Sequence, residues 1–209
     1  MQDLTQIDYI QSVDELTELY NAPSAAAMDK VAREITPLYR DWISASRFCI
    51  LATHAQGRVD ISPRGDNGPV VEVLDPHHLA LPDWRGNNRL DSLRNILLDG
   101  PLSIVFLNAG VQDVVRVIGH GRITRDKNIC HRYAQNGHHP KSVVIIRVQQ
   151  VYVHCAKSIV RAGLWARDGT LDLPSIGDFL SEAKGGAFDG TEFDQALQRR
   201  IPSTLWGDE

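Results

Sequence analysis

The chain has 209 residues, 43% hydrophobic and 23% charged, with 22 Lys plus Arg against 26 Asp plus Glu and a formal net charge of −4. A chain of that size fits one globular domain with additions and can bury about two thirds of the surface it would expose unfolded. The acidic balance argues against a surface built for nucleic acid or anionic membranes, and no apolar run approaches the roughly 20 residues that span a bilayer. The opening stretch MQDLTQIDYI lacks the basic-then-apolar order of a secretory signal, which points to the cytoplasm. Cys49, Cys130 and Cys155 are odd in number and widely spaced, a pattern of neither a disulfide framework nor a Cys-x-x-Cys metal site.

In chain order, Ser12 followed by Glu15 has the capping-box pattern and predicts a short helix. A second helical region is expected through PSAAAMDKVAREITPLYRDWISAS, where Val31, Ile35 and Leu38 recur at helical spacing and Pro37 kinks or divides it. From Arg47 onward RFCILATH, VDISPRG, VVEVLD and HLALPD are short, rich in β-branched residues and separated by turn residues, as in an antiparallel meander. RLDSLRNILL returns to helical spacing with Asn88 as its expected N-cap, and Gly100-Pro101 stops it. The strands LSIVFLN, VVRVIGHGRIT and KSVVIIRVQQVYVHC follow, with a short helix near DKNICHRYAQ. Gly119 and Gly121 inside a strand pattern predict a bulge or a close backbone approach.

The sum is a mainly β fold with peripheral helices, six or seven antiparallel strands closing into a small or split barrel, although a β-sandwich fits the same pattern. The expected organisation is an N-terminal helical extension over 1–44 packed on a barrel over 45–166, then a C-terminal arm over 167–209. Phe179, Leu180, Phe193, Leu197, Leu205 and Trp206 are too many apolar residues for a free tail and too few for a core, so the arm is expected to pack on the barrel or on a partner subunit.

LPDWRGNNRLDSLRN, residues 81–95, concentrates three arginines, three asparagines and two aspartates where a strand turns into a helix. Unpaired amides at a helix N-terminus attract an anion, and arginine matches phosphate oxygens in bidentate fashion. Arg85, Arg89 and Ser92 could therefore cradle a phosphate. Equally, Arg85, Arg89 and Arg94 could pair with Asp83, Asp91 and Asp99 on a solvated surface. The cluster Ser62-Pro63-Arg64-Gly65-Asp66 closes a strand one hairpin earlier and could reach the same face. Cys130-His131 with His138-His139 fits no zinc spacing, no convincing Ser-His-Asp or Cys-His set stands out, and no Gly-x-Gly-x-x-Gly unit lies between a strand and a helix.

The order ISPRGDNGP, LPDWRGNNRLDSLRN, VVRVIGHGRIT and VHCAKSIVRAGLW resembles the pyridoxamine 5′-phosphate oxidase-related FMN-binding family. The similarity is to the bacterial branch carrying Ser-Pro-Arg-Gly-Asp and Gly-Asn-Asn-Arg-Leu-Asp-Ser. Where that branch usually reads Pro-Asp-Arg-Pro-Gly-Asn-Asn-Arg, this chain has Trp84 and Arg85 in place of the arginine and proline. The resemblance implies an FMN-binding split β-barrel that is a homodimer, with flavin in two equivalent interface sites. It further implies that Arg85, Asn87, Asn88, Arg89 and Ser92 hold the FMN phosphate and ribityl chain, with Arg64 and Asp66 approaching from neighbouring strands. Arg116, Lys157 and Arg161 would come from the far side of the barrel or from the other subunit, and Trp165 would cover the ring.

The functional expectation is a homodimeric FMN-dependent oxidoreductase acting on a small molecule through the flavin. A non-catalytic flavin-binding, flavin-sequestering or redox-sensing dimer is the alternative, as is a barrel binding another ligand such as haem. Fold-level likeness does not carry vitamin B6 oxidation across.

Overall fold

Local capping and strand alternation account for most of the elements in the computed structural model, which describes residues 4–166, 171 and 173–206. The chain divides into two units, Met1–Val31 and Ala32–Glu209. In the first, a 3-10 turn (Leu4–Gln6) precedes α1 (Val13–Glu18) and α2 (Ala25–Asp29). Ser12 Oγ accepts from Glu15 N at 3.1 Å, while the Glu15 carboxylate takes the N–H of Gln11 instead of the cap's own. The helix expected through residues 23–46 is broken, because residues 30–36 leave the helical conformation and Pro37 opens a new helix, α3 (Pro37–Ala45). Proline disfavours a helical residue before it but suits the first helical turn. Thr36 is accordingly extended, at φ −69° and ψ 166°.

The larger unit is built on one sheet of seven strands: β1 (Phe48–Ala55), β2 (Arg58–Gly65), β3 (Glu72–Asp75), β4 (His78–Asp83), β5 (Pro101–Leu107), β6 (Val114–Thr124) and β7 (Ser142–His154). Their order is β2-β1-β5-β6-β7-β4-β3 with every neighbour antiparallel. This is the expected split β-barrel, whose free edges are β2 and β3. The period of two puts Leu51, Ile104, Phe106, Val115, Val117 and Ile146 on the inner face, all buried. Each such side chain stabilises the fold by about 1.5–3 kcal/mol. β4 is buried on both faces, since Leu79 and Leu81 join the main core while Ala80 meets Val143 and Cys130 beneath α5 (Lys127–Arg132).

A bulge marks β7, where Gln149 is the extra residue because Ile118 and Gly119 of β6 pair with Gln150 and Val148. A Cβ on Gly119 would lie 2.5 Å from the carbonyl oxygen of Arg147, so only glycine lets the two backbones come that close. α4 (Asp91–Leu98) lies against the β1, β2 and β6 strands. Ile96 joins the core, and Asn95 Nδ2 donates to Thr53 Oγ1 at 3.1 Å in a buried contact.

After β7 come α6 (Lys157–Ala162), α7 (Ile176–Ala183) and α8 (Gly190–Thr204). The start of the arm, 167–170 and 172, lies outside the described residues. α7 and α8 meet through glycine, since a Cβ on Gly177 would fall 2.1 Å from the Gly190 carbonyl oxygen. Phe179, Ile201 and Leu205 are exposed, whereas Trp206 is half-buried. No helix among the described residues is long and apolar enough to cross a membrane.

Candidate functional site

The arginine-rich lip forms one wall of a cleft of about 890 Å³. β2 supplies Asp60, Ser62 and Arg64, the end of β4 supplies Asp83, and the turn Trp84 to Leu90 leads into Asp91 and Ser92 of α4. Gly137 to Ser142, between α5 and β7, closes the opposite side, and Trp206 comes in from the C-terminal arm. Alternation along β2 explains its contribution, because Asp60, Ser62 and Arg64 point inward while Val59, Ile61 and Pro63 point out.

α4 begins two residues later than its sequence spacing suggests. Its N-cap is Leu90 and not Asn88, with φ 61° and ψ 18° and no side-chain hydrogen bond to the cap. Arg94 N is the first amide to bond back, to the Leu90 carbonyl, so the first-turn amides have no intrahelical partner. Asn88 is also left-handed at φ 57°. Asparagine tolerates that conformation, but leucine there stores about 1–2 kcal/mol of strain. An uncapped and strained helix start beside a cleft is a feature of binding sites.

A continuous polar chain fixes this helix to the sheet. Arg64 Nη1 donates to Asp83 Oδ1 at 2.6 Å and its Nε donates to Ser62 Oγ at 3.2 Å. The Ser92 hydroxyl donates to the Asp60 carboxylate in a short contact, so its single proton is used there. Ser62 must then donate to Ser92 across their 3.0 Å separation. Every proton in the series from Asp83 through Arg64, Ser62 and Ser92 to Asp60 is therefore assigned. Beside it, burial pushes the Cys49 thiol up to about 12, and the Arg64 guanidinium opposite opposes that shift in part.

The ion pairs expected of the lip form only in part. Arg89 Nε pairs with Asp91 at 2.9 Å and Arg94 reaches the same carboxylate at 3.8 Å, as a solvated ion-pair surface would have them. Asp83 instead takes Arg64, and Asp99 accepts the Gln56 amide at 3.1 Å. Asn87 Oδ1 accepts from Arg89 N at 3.1 Å and shapes the turn. Asp66 does not line the cleft. Its carboxylate accepts Trp84 Nε1 at 2.8 Å, Gln135 Nε2 at 2.7 Å and Gly68 N at 3.2 Å, tying three loops together behind the wall.

The remaining expected residues lie elsewhere on this chain. Arg116 is on the outward face of β6 with its guanidinium 5.3 Å from the Tyr152 ring centre. Lys157 and Arg161 are exposed on α6, one turn apart. Trp165 is 41% exposed and donates its indole N–H to the Val111 carbonyl at 2.8 Å. Conversely, Asp60, His138, His139, Lys141 and Trp206 line the cleft without having been singled out for it. HHPKS, which leads into β7, carried no local signal, since only the pairing of β7 with β4 brings its end beside Asp83. Trp206 carried none, because its place depends on the packing of the arm.

The family model for pyridoxamine 5′-phosphate oxidase matches residues 35–155, more than half of the chain. No curated protein matches it. HupZ from Group A Streptococcus is 20% identical at a TM-score of 0.47, over 57% of this chain and 93% of its own. A Lactobacillus delbrueckii protein described as a candidate pyridoxamine 5′-phosphate oxidase is 18% identical at 0.46, over 58% and 95%. An FMN-binding protein from Syntrophomonas wolfei is 13% identical at 0.43, over 56% and 83%. The family match runs from just before α3 to just past β7 and takes in every strand of the barrel: the chain belongs to the pyridoxamine 5′-phosphate oxidase family.

Proposed function

We propose that this cleft binds FMN and that the protein is a flavin-dependent oxidoreductase acting on a small molecule. The observation that carries the reading is the uncapped start of α4, open to a cleft that also presents Arg85, Arg89 and Lys141. A phosphate there gains aimed backbone N–H donors, the positive end of the helix and charge-assisted contacts together. These donors suit a phosphate monoester. The backbone amides of Asp91, Ser92 and Leu93 with Arg89 would hold the phosphate, and Asn87 and Asn88 would meet the ribityl hydroxyls. Ser92 would contribute its amide, since its hydroxyl is engaged with Asp60.

When bound, the flavin supplies the redox chemistry. This chain's residues bind and orient it, and the barrel wall behind the cleft keeps water from one side. Homodimer formation belongs to the same proposal. It is supported by the outward face of β2, where Val59 and Ile61 are 70% and 66% exposed beside the half-buried Ile50 and Ala52 of β1. Arg116, Lys157, Arg161 and Trp165 could then reach a flavin site as the other subunit's contribution. A cytoplasmic location is likewise proposed.

The test is the absorption spectrum of purified protein mixed with FMN and desalted, followed by addition of NADH or NADPH. Retained flavin bands that bleach on reductant and return with turnover of an acceptor are expected of the oxidoreductase. Retained bands without turnover would leave a flavin-binding or redox-sensing protein, and loss of all flavin on desalting would refute the reading.

A further inference from the structure

The last described residue, Trp206, lies far from the family-matched segment yet stands in the cleft. Its ring is 5.0 Å from that of Trp84, centre to centre, at an interplanar angle of 77°. An edge-to-face pair of this kind leaves ring faces unstacked, and both indoles are only half-buried. Trp84 is not free to swing, because Asp66 holds its N–H, and Asp66 is itself held by Gln135 and the Gly68 amide. Trp206 is unlike its neighbours on the arm, for Ile201 and Leu205 stay exposed while it alone of the three is drawn against the barrel. It does not lie over the core but lines a cleft that also holds Arg64, Asp83, Arg85 and Leu90.

We propose that Trp84 and Trp206 form an aromatic corner that receives the flat ring of the cleft's ligand, so that the C-terminal arm completes the binding site in cis. This inference rests on the flavin reading and specifies how the ring end is held. The two ends of the cleft then have distinct tasks. The α4 start and the lip arginines take the phosphate, and the indole corner takes an extended aromatic system, in the way that tryptophan stacks on bases without hydrogen-bond readout. A fixed Trp84 offers a preorganised surface, and Trp206 on the arm supplies the second one.

The experiment compares wild type with Trp206→Ala and Trp206→Phe, titrating each with FMN and with riboflavin and reading ligand fluorescence. Trp206 is half-buried at the chain's end and belongs to no core cluster, so the fold should persist, which the far-ultraviolet circular dichroism spectrum checks. Expected is an equal weakening of FMN and riboflavin by Trp206→Ala, about 3- to 10-fold, with most of it restored by phenylalanine. Bound-flavin emission should also rise in Trp206→Ala, because an adjacent indole quenches it. Unchanged affinity for both ligands in Trp206→Ala, with wild type binding FMN, would overturn the aromatic corner and leave the flavin reading standing. No FMN binding by wild type would overturn both. A loss confined to FMN would place Trp206 at the phosphate end and also refute the proposal.

Discussion

Replacing Ser92 with alanine tests whether the polar chain beneath the lip holds α4 in place. The serine is 3% exposed, donates to the Asp60 carboxylate and accepts from Ser62. A hydrogen bond to a charged group contributes about 1.5–3 kcal/mol and a neutral one about 0.5–1.5 kcal/mol. Asp60 is half-buried, so water recovers part of its lost contact. The net loss should be about 1.5–3 kcal/mol, which at an m-value of roughly 2 kcal/mol per molar lowers the urea midpoint by about 1 M. The sharper test is the double-mutant cycle with Ser62→Ala. Both residues lie in one series, so the second substitution should cost less than it does alone, with a coupling of about 0.5–3 kcal/mol. An unchanged midpoint, or strict additivity of the two, would refute the claim that the series acts as one unit.

Three further outcomes follow from the same geometry. Arg89→Ala should weaken FMN about 10-fold and leave riboflavin unaffected, at the low end for a charge-assisted contact because the side chain is 76% exposed and already paired with Asp91; isothermal titration with both ligands decides it, and equal losses would remove Arg89 from the phosphate. Asp66→Asn keeps one acceptor where two oxygens serve three donors, so it should destabilise the protein by about 1–2 kcal/mol and blunt the near-ultraviolet circular dichroism of Trp84. For Cys49 the folded thiol loses its proton only near pH 12, against 9.0 when exposed. The unfolded state then binds fewer protons between those values, so stability is full below about pH 9 and falls as pH rises toward 12. Cys49→Ala should flatten that slope in denaturant titrations, and alkylation of the native protein should label the exposed Cys155 before the buried Cys49 and Cys130.

Strand positions were legible because each depends on local alternation and turn residues, and β1, β2, β4, β5, β6 and β7 fall where RFCILATH, VDISPRG, HLALPD, LSIVFLN, VVRVIGHGRIT and KSVVIIRVQQVYVHC place them. Helical periodicity misled at residues 30–36, where tertiary pairing won: Ala32 exchanges two backbone hydrogen bonds of 2.9 Å with Val151, and Ile35 is buried with its N–H on the Pro76 carbonyl. The N-cap at Asn88 failed for a related reason. Asparagine is a good cap by propensity, but the turn needs a left-handed residue at 88, and the helix can begin only after it. The near wall of the cleft was legible because lip and α4 are contiguous in sequence. Its far wall was not, since Lys141 and His138 arrive through the β4–β7 pairing and Trp206 through the arm.

The charges of the cleft bear on how an acidic protein could hold a phosphate. Arg64, Arg85, Arg89 and Lys141 share its lining with Asp60, Asp83 and Asp91, so the two signs nearly balance. Arg64 is already neutralised by Asp83 at 2.6 Å, and Arg89 by Asp91 at 2.9 Å. Net attraction is thus small, and on the flavin reading the discrimination has to come from placement. The amides at the start of α4 are aimed by a helix that Ser92 and Asn95 pin to the sheet, and they cannot rotate to find other partners. A carboxylate can release a guanidinium to an incoming phosphate at little cost, because one charged partner replaces another. The aspartates then keep the arginines ordered when no anion is present, and preorganisation takes the place of a strongly basic surface. On the flavin reading, that arrangement would let a chain of net charge −4 hold an anion without becoming a general polyanion binder.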